Sequence, residues 1–298
     1  MRPIAVKQIG AASLMCALTL IPAQRLFGQQ QPPPPPPEAP AQQQQNPAAT
    51  TAPPEISRDD PDFGEPVGAY YWLTRGSPNM HPGTIAADPL GQNLGLPNSR
   101  PRSPGAFISL PAGKFNHLEI SYFQVDGSGT GYAKVPLSIF GSNFAQGDFL
   151  SSTYRLRNAQ LTWNYLTWPA PPEDSKWRFR TLWGFNYTSA SPVIDAPFEA
   201  NINFTAAHAT KNIFDPAFGA VLEYIPSKNI YFEARTWGFG FPHKADIGDA
   251  EINAVVRFKH LEIFGGYKLF HFKTSPNSDE YVVGTVKGPL AGVRWVFE

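Results

Sequence analysis

Cysteine is nearly absent. The single thiol, Cys16, lies in the first apolar stretch of the 298-residue chain. A mature chain that loses this stretch has no disulfide, no Fe–S cluster and no cysteine catalysis. Charge is also sparse, at 16% of residues against about 25% in ordinary soluble domains. The 24 basic and 24 acidic side chains cancel, which excludes a strongly basic surface for nucleic acid. After the opening segment no apolar run approaches the ~18 residues of a membrane-crossing helix. Aromatic residues, by contrast, reach 13%, with 7 Trp, 11 Tyr and 22 Phe, and there are 32 Pro and 25 Gly. So many rings with so few charges imply a large apolar surface that something other than a helix must cover.

Residues 1–28 begin with Arg2 and Lys7, continue through an apolar stretch to Ile21, and offer small residues at Ala23 and Gly28. This is the pattern of a secretory signal peptide. Its removal would leave 21 basic against 24 acidic residues. Ser13, Leu14 and Met15 before Cys16 match a lipoprotein cleavage box poorly. Residues 29–61 hold consecutive prolines at 32–37 and glutamines at 42–45. Such a segment buries too little apolar surface to offset its ordering entropy, so a disordered Pro/Gln-rich tether is expected, with the cell wall or a periplasmic protein as its partner. Residues 62–113 read as a loop-like N-terminal extension around an apolar cluster at 67–73, which the sequence leaves open between strand, short helix and plug.

Residues 114–298 alternate. Eight stretches show period two, each near the ~9–11 residues that a tilted strand needs to cross a bilayer. Ile252, Ala254, Val256 and Phe258 oppose Glu251, Asn253 and Arg257; Trp177, Phe179, Trp183, Phe185 and Tyr187 oppose Arg178, Arg180, Gly184 and Asn186. Ala159, Leu161, Trp163 and Tyr165 face away from Asn158, Gln160 and Asn164, and Ala291, Val293, Trp295 and Phe297 away from Gly292 and Arg294. Shorter alternations start at Leu118, Phe218 and Ile230. In the stretch from Leu261, Phe264 and Phe270 fall on the polar side, so its alternation is partial.

If the first stretch runs outward, the inner turns fall at 169–175, 226–229 and 259–260, and the outer loops at about 128–153, 189–213, 242–247 and 274–280. Short inner turns with longer outer loops are the pattern of bacterial outer-membrane barrels. Trp168, Trp177, Tyr224, Tyr231, Phe258, Trp295 and Phe297 gather at the inner strand ends, where amphipathic rings favour the headgroup level, and are expected to form an aromatic girdle. A closed sheet leaves no unpaired edge in lipid. The expected fold is therefore all-β, an antiparallel up-and-down transmembrane β-barrel of eight strands with a disordered N-terminal extension, located in the bacterial outer membrane.

The run from Gly288 through Leu290, Val293, Arg294, Trp295 and Phe297 resembles the C-terminal assembly signal of bacterial outer-membrane barrels, except that Glu298 follows the terminal aromatic. The eight-strand plan resembles small OmpA-like or OmpX-like barrels, and the segments Tyr165 to Pro169 and Lys176 to Trp183 resemble uncharacterised bacterial barrel proteins. The resemblance implies outer-membrane lipid, lipopolysaccharide and the barrel-assembly machinery as partners, the last through the C-terminal strand. It implies no established activity.

Alternation turns Glu119, Arg178, Arg180, Glu223, Glu233, Arg235, Glu251, Arg257, Glu262, Lys268 and Arg294 inward. An eight-stranded lumen is just wide enough for side chains to fill, so these groups are expected to pair as a charged plug. That implies a structural, envelope or surface-interaction protein. A narrow porin-like channel is the alternative, and a lipid-modifying enzyme the second. For the enzyme, His271 with Lys273 and Ser275, and His208 with Thr210, are the nearest approaches to a His–hydroxyl pair. No second His or Cys stands at ligand spacing from His208 or His243, so no metal and no cofactor are expected. Gly127, Gly129 and Gly131 precede no helix and read as a flexible loop. The loop aromatics Tyr132, Phe140, Phe144, Phe149, Phe198, Phe204 and Phe214 are candidates for folding over the mouth or for adhesion.

Overall fold

Alternation requires strands, and the computed structural model has fifteen among the residues it describes: 65–76, 78–81, 94–95, 103–113, 116–169, 175–198, 206–240, 245–275 and 281–297. The signal peptide and tether expected over 1–61 lie outside the described residues. In chain order the strands are β1 Glu65–Trp72, β2 Asn79–His81, β3 Leu94–Gly95, β4 Pro104–Pro111, β5 Asn116–Tyr132, β6 Leu137–Ile139, β7 Ser142–Phe144, β8 Phe149–Trp168, β9 Trp177–Asp195, β10 Ala207–His208, β11 Lys211–Ser227, β12 Ile230–Gly240, β13 Asp246–Phe258, β14 Leu261–Lys273 and β15 Tyr281–Phe297. The long ones pair in the order β1-β4-β5-β8-β9-β11-β12-β13-β14-β15. Antiparallel pairing of Glu65 with Phe297 through Trp72 with Leu290 closes the ring.

The barrel thus has ten strands rather than the expected eight. All eight alternating stretches are strands; of the two additional ones, β1 covers the apolar cluster that the sequence left open, and β4 lies in the stretch expected to be loop-like. Neither carries a charged inner face. The inward side of β1 is Gly68, Tyr70 and Trp72, and that of β4 is Gly105, Phe107 and Ser109, while their outward sides are apolar as well. The two outer loops expected at 128–153 and 189–213 are shorter than their sequence suggests. β5 runs on to Tyr132, β8 starts at Phe149, β9 ends at Asp195 and β11 starts at Lys211.

Rings facing the lumen are seated on glycines of the neighbouring strand. The ladder places Gly68 opposite Phe107, Gly105 opposite Tyr70, Gly127 opposite Tyr154, Gly219 opposite Trp237, and Gly292 opposite Phe264. At each of these five glycines an added Cβ would lie within 2.6 Å of the opposing side chain. A large ring across from a glycine fills the space a missing side chain leaves and fixes the register. Gly105→Val is accordingly expected to expel the Tyr70 ring and cost about 1–3 kcal/mol. The check is the temperature at which the purified barrel shifts from folded to unfolded mobility on a detergent gel, which should fall.

β6 and β7 form a hairpin above β5. Phe140 and Gly141 at its tip both have positive φ, 47° and 80°, as a two-residue type I′ turn requires. The hairpin buries Ile139 and Phe144 in the barrel's outer core.

Candidate functional site

The lumen has two linings. In the inner half the walls face outward with apolar side chains and inward with charged ones. Outside lie Ile108 and Leu110 of β4, Ile120 and Tyr122 of β5, Leu161, Trp163 and Tyr165 of β8, Trp183 and Phe185 of β9, Phe218 and Leu222 of β11, Ile252 and Val256 of β13, and Ile263 and Tyr267 of β14, all exposed. In the outer half the phase reverses. The outward positions of β5 become Gln124, Asp126, Ser128 and Thr130, and those of β8 become Arg157, Arg155, Thr153 and Ser151. The inward positions there become Phe123 and Val125 on β5, Leu156, Tyr154 and Leu150 on β8, and Ala190 and Ile194 on β9, all buried.

All eleven sequence-predicted lumen residues lie in the inner half, around a cavity of about 140 Å³. Asp249 joins them, giving six cations and six anions on the lining. Arg235 of β12 reaches across the lumen to Glu119 of β5 at 2.7 Å. Lys268 holds Asp249 at 2.7 Å and Glu251 at 3.0 Å. Glu262 accepts hydrogen bonds from Arg257 Nε at 2.7 Å and from the Tyr231 hydroxyl at 2.8 Å. Arg294 lies 3.4 Å from Glu233 and 3.5 Å from Glu262, with its guanidinium 4.8 Å from the Phe264 ring centroid and 5.7 Å from that of Phe107. Arg180 lies 3.3 Å from Glu223, and Arg178 stands opposite the same carboxylate in the ladder. Charges removed from water must be paired in this way, because an isolated one costs several kcal/mol. On the β8–β9 wall, Asn158 donates to Asn186 at 2.6 Å and to Thr188 at 2.8 Å.

Above this network the lumen is filled by rings. Trp72 packs on Phe123 at 5.6 Å, Phe123 on Phe270 at 4.9 Å, and Phe270 on Trp237 at 6.2 Å, a chain of contacts joining β1, β5, β14 and β12. A ten-stranded ring is wider than an eight-stranded one, and these large side chains, with the β6–β7 hairpin, occupy the added width. Phe264 and Phe270 break the polar alternation of β14 for this reason. Phe270 belongs to the ring core and Phe264 sits on Gly292. Burial pushes the Tyr154 phenol above its ordinary range, with the nearby Asp126 carboxylate adding to the effect.

Of the expected girdle, Trp168, Trp177, Phe258, Trp295 and Phe297 are exposed, and Tyr224 packs tilted against Trp177 at 4.5 Å. Trp168 reaches the outer face through a register shift between Leu166 and Trp168, which re-aims its side chain. Tyr231 does not belong to the girdle. Its position in β12 turns it inward, where its hydroxyl binds Glu262 and Arg294.

The histidines divide. His271, on the outer wall of β14, lies between Thr285 of β15, with Nδ1 to Oγ1 at 2.8 Å, and Asp246 of β13, with Nε2 to Oδ1 at 3.2 Å. The order hydroxyl, imidazole, carboxylate is that of a nucleophile–base–orienter set. The Asp246 Oδ1 contact lacks hydrogen-bond geometry, and the flanking backbone is committed to the β13–β14–β15 ladder. Ser275 lies beyond the end of β14, and the Lys273 ammonium sits 5.7 Å from the Tyr281 ring centroid. His208 contacts the Ala206 carbonyl, and His243 lies outside the described residues. Gly127, Gly129 and Gly131 belong to β5 rather than to a loop. Among the described residues no group of three or more potential metal ligands gathers.

The exposed Tyr132 and Phe198 flank the half-buried Phe149 at the outer end, with centroids 5.4 and 5.2 Å apart, while Phe144 is buried in the mouth. Phe204 lies outside the described residues. No protein-family model and no curated protein matches this sequence. Among solved structures it is similar to the outer membrane protease OmpT from Escherichia coli, at 7% identity and a TM-score of 0.47, over 80% of this chain and 98% of that one. It is also similar to Ail, the attachment invasion locus protein of Yersinia pestis, at 10% identity and 0.33, over 78% and 99%. A third is the toluene transporter TodX of P. putida, at 9% and 0.31, over 78% and 90%.

Proposed function

We propose that this chain is an integral barrel of the bacterial outer membrane, acting as a closed structural or surface-interaction element of the envelope and not as an open pore. The observation that carries the reading is the phase reversal along the long strands. β5, β8 and β9 have 17, 20 and 19 residues, roughly twice what a bilayer crossing needs. Their inner halves turn apolar residues outward, as lipid demands, and their outer halves turn polar residues outward, as water demands. Each half then fills its interior with the opposite kind of side chain. The lower contents form a salt-bridged plug and the upper contents an apolar core, so ions meet two barriers in series.

Outer-membrane lipid, including lipopolysaccharide, is the partner of the apolar belt, and β15 serves as the assembly signal. The Thr285–His271–Asp246 group has no catalytic role in this reading, because its imidazole–carboxylate contact lacks hydrogen-bond geometry. Purified mature protein in planar bilayers is expected to give no steady conductance, and a sustained single-channel current would overturn closure. The membrane assignment is tested separately: a chain that stays monomeric in plain buffer, without detergent, would overturn it.

A further inference from the structure

On the outer wall, where β15 leaves β1, two cations stand side by side. Arg75 and Lys287 form an isolated antiparallel bridge, exchanging backbone hydrogen bonds of 2.6 and 2.9 Å. Residues paired in this way are about 5.5 Å apart at Cα and share a face. Both side chains are exposed, and alternation along β1 and β15 turns both outward. Like charges directly opposite each other destabilise a sheet. Neither cation has an ion-pair partner among the described residues. Elsewhere on the same wall Arg155 is matched by Asp126 at 2.6 Å, and within the lumen the cations are matched as well. Lys273 lies further along β14, and the carboxylate beside it, Asp246 of β13, sits 3.2 Å from His271 Nε2.

The pair also has a definite height. Immediately below it on the outer surface are Leu73, Tyr71, Pro289, Tyr267 and Leu269, the top of the apolar belt on β1, β15 and β14. Resting on the reading that this belt lies in lipid, we propose that Arg75 and Lys287 form a headgroup site for a phosphate-bearing lipid of the outer leaflet. The phosphate bridges the guanidinium and the ammonium, and the acyl chains lie over Leu73, Pro289, Tyr267 and Leu269. Arg offers a planar fork to phosphate oxygens and Lys a point charge, so one phosphate accommodates both. The apolar surface directly beneath selects a lipid over free phosphate.

The test is native mass spectrometry of the full mature chain released from detergent micelles after incubation with equal amounts of a phosphorylated glycolipid and its dephosphorylated counterpart. Wild-type protein is expected to retain the phosphorylated form preferentially. Arg75→Ser with Lys287→Ser should reduce that preference about ten-fold, and Arg75→Lys with Lys287→Arg should keep it. Arg155→Ser with Arg157→Ser, on β8 and away from β1 and β15, should leave it unchanged. Equal retention by the Arg75→Ser/Lys287→Ser protein, or displacement of the lipid by inorganic phosphate alone, would overturn the headgroup site. A barrel that needs detergent but shows no preference fails this proposal only. One that is monomeric in plain buffer fails the membrane reading and this site with it.

Discussion

Glu262→Ala is expected to destabilise the barrel by about 3–5 kcal/mol, among the largest effects of any single substitution. The carboxylate is 1% exposed and is the point where β12, β13, β14 and β15 meet in the lumen. Arg257, Tyr231 and Arg294 all contact it. Its removal leaves two guanidinium groups facing each other between aromatic rings, with only Glu233 near enough to compensate Arg294. Glu262→Gln keeps an acceptor for the Tyr231 hydroxyl and should lose less. The measurement is urea unfolding of the barrel in lipid vesicles, followed by tryptophan fluorescence. An unchanged midpoint for Glu262→Ala would mean that the lumenal charges are solvated and not interlocked.

The second large effect maps the edge of the membrane. Ile120 and Thr130 share the outward face of β5, ten residues apart. Ile120→Arg puts a charge among Ile108 and Leu161, in the belt, and is expected to cost about 2–4 kcal/mol or to block assembly outright. Thr130→Arg, beside Ser151 in the polar outer half, should stay within about 0.5 kcal/mol. Both are read from the fraction of protein in the membrane that migrates as the compact, heat-modifiable form. Equal tolerance at the two positions would place the bilayer elsewhere on the barrel.

How much of this was legible in the sequence depended on contrast between faces. Strands such as β13 and β9 announce themselves because a charge or amide alternates with a ring. β1 and β4 do not. Tyr70, Tyr71 and Trp72 occupy both faces in succession, and prolines bound β4, so the period-two signal vanishes. The outer halves of β5 and β8 do alternate, but in the opposite phase, and a template that expects apolar residues outward reads them as loops. The inward charges of the inner half followed directly from alternation. Asp249 escaped because it lies where β13 is turning from one phase to the other, between Gly248 and Ala250. The girdle position of Tyr231 failed for a related reason. Proximity to a strand end says nothing about side, and only parity in β12 decides it.

The glycine seats under the lumenal rings bear on how such a wall can close. Two neighbouring strands could slide by two residues and still keep every side chain on its proper face, so hydrophobic patterning alone tolerates that error. Ring and hollow do not tolerate it. A two-residue slip of β1 against β4 in one direction would set Tyr70 against Phe107, and in the other would set Gly68 against Gly105. With further seats at Gly127, Gly219 and Gly292, four of the strand pairs around the circumference carry an alignment mark that patterning alone does not supply.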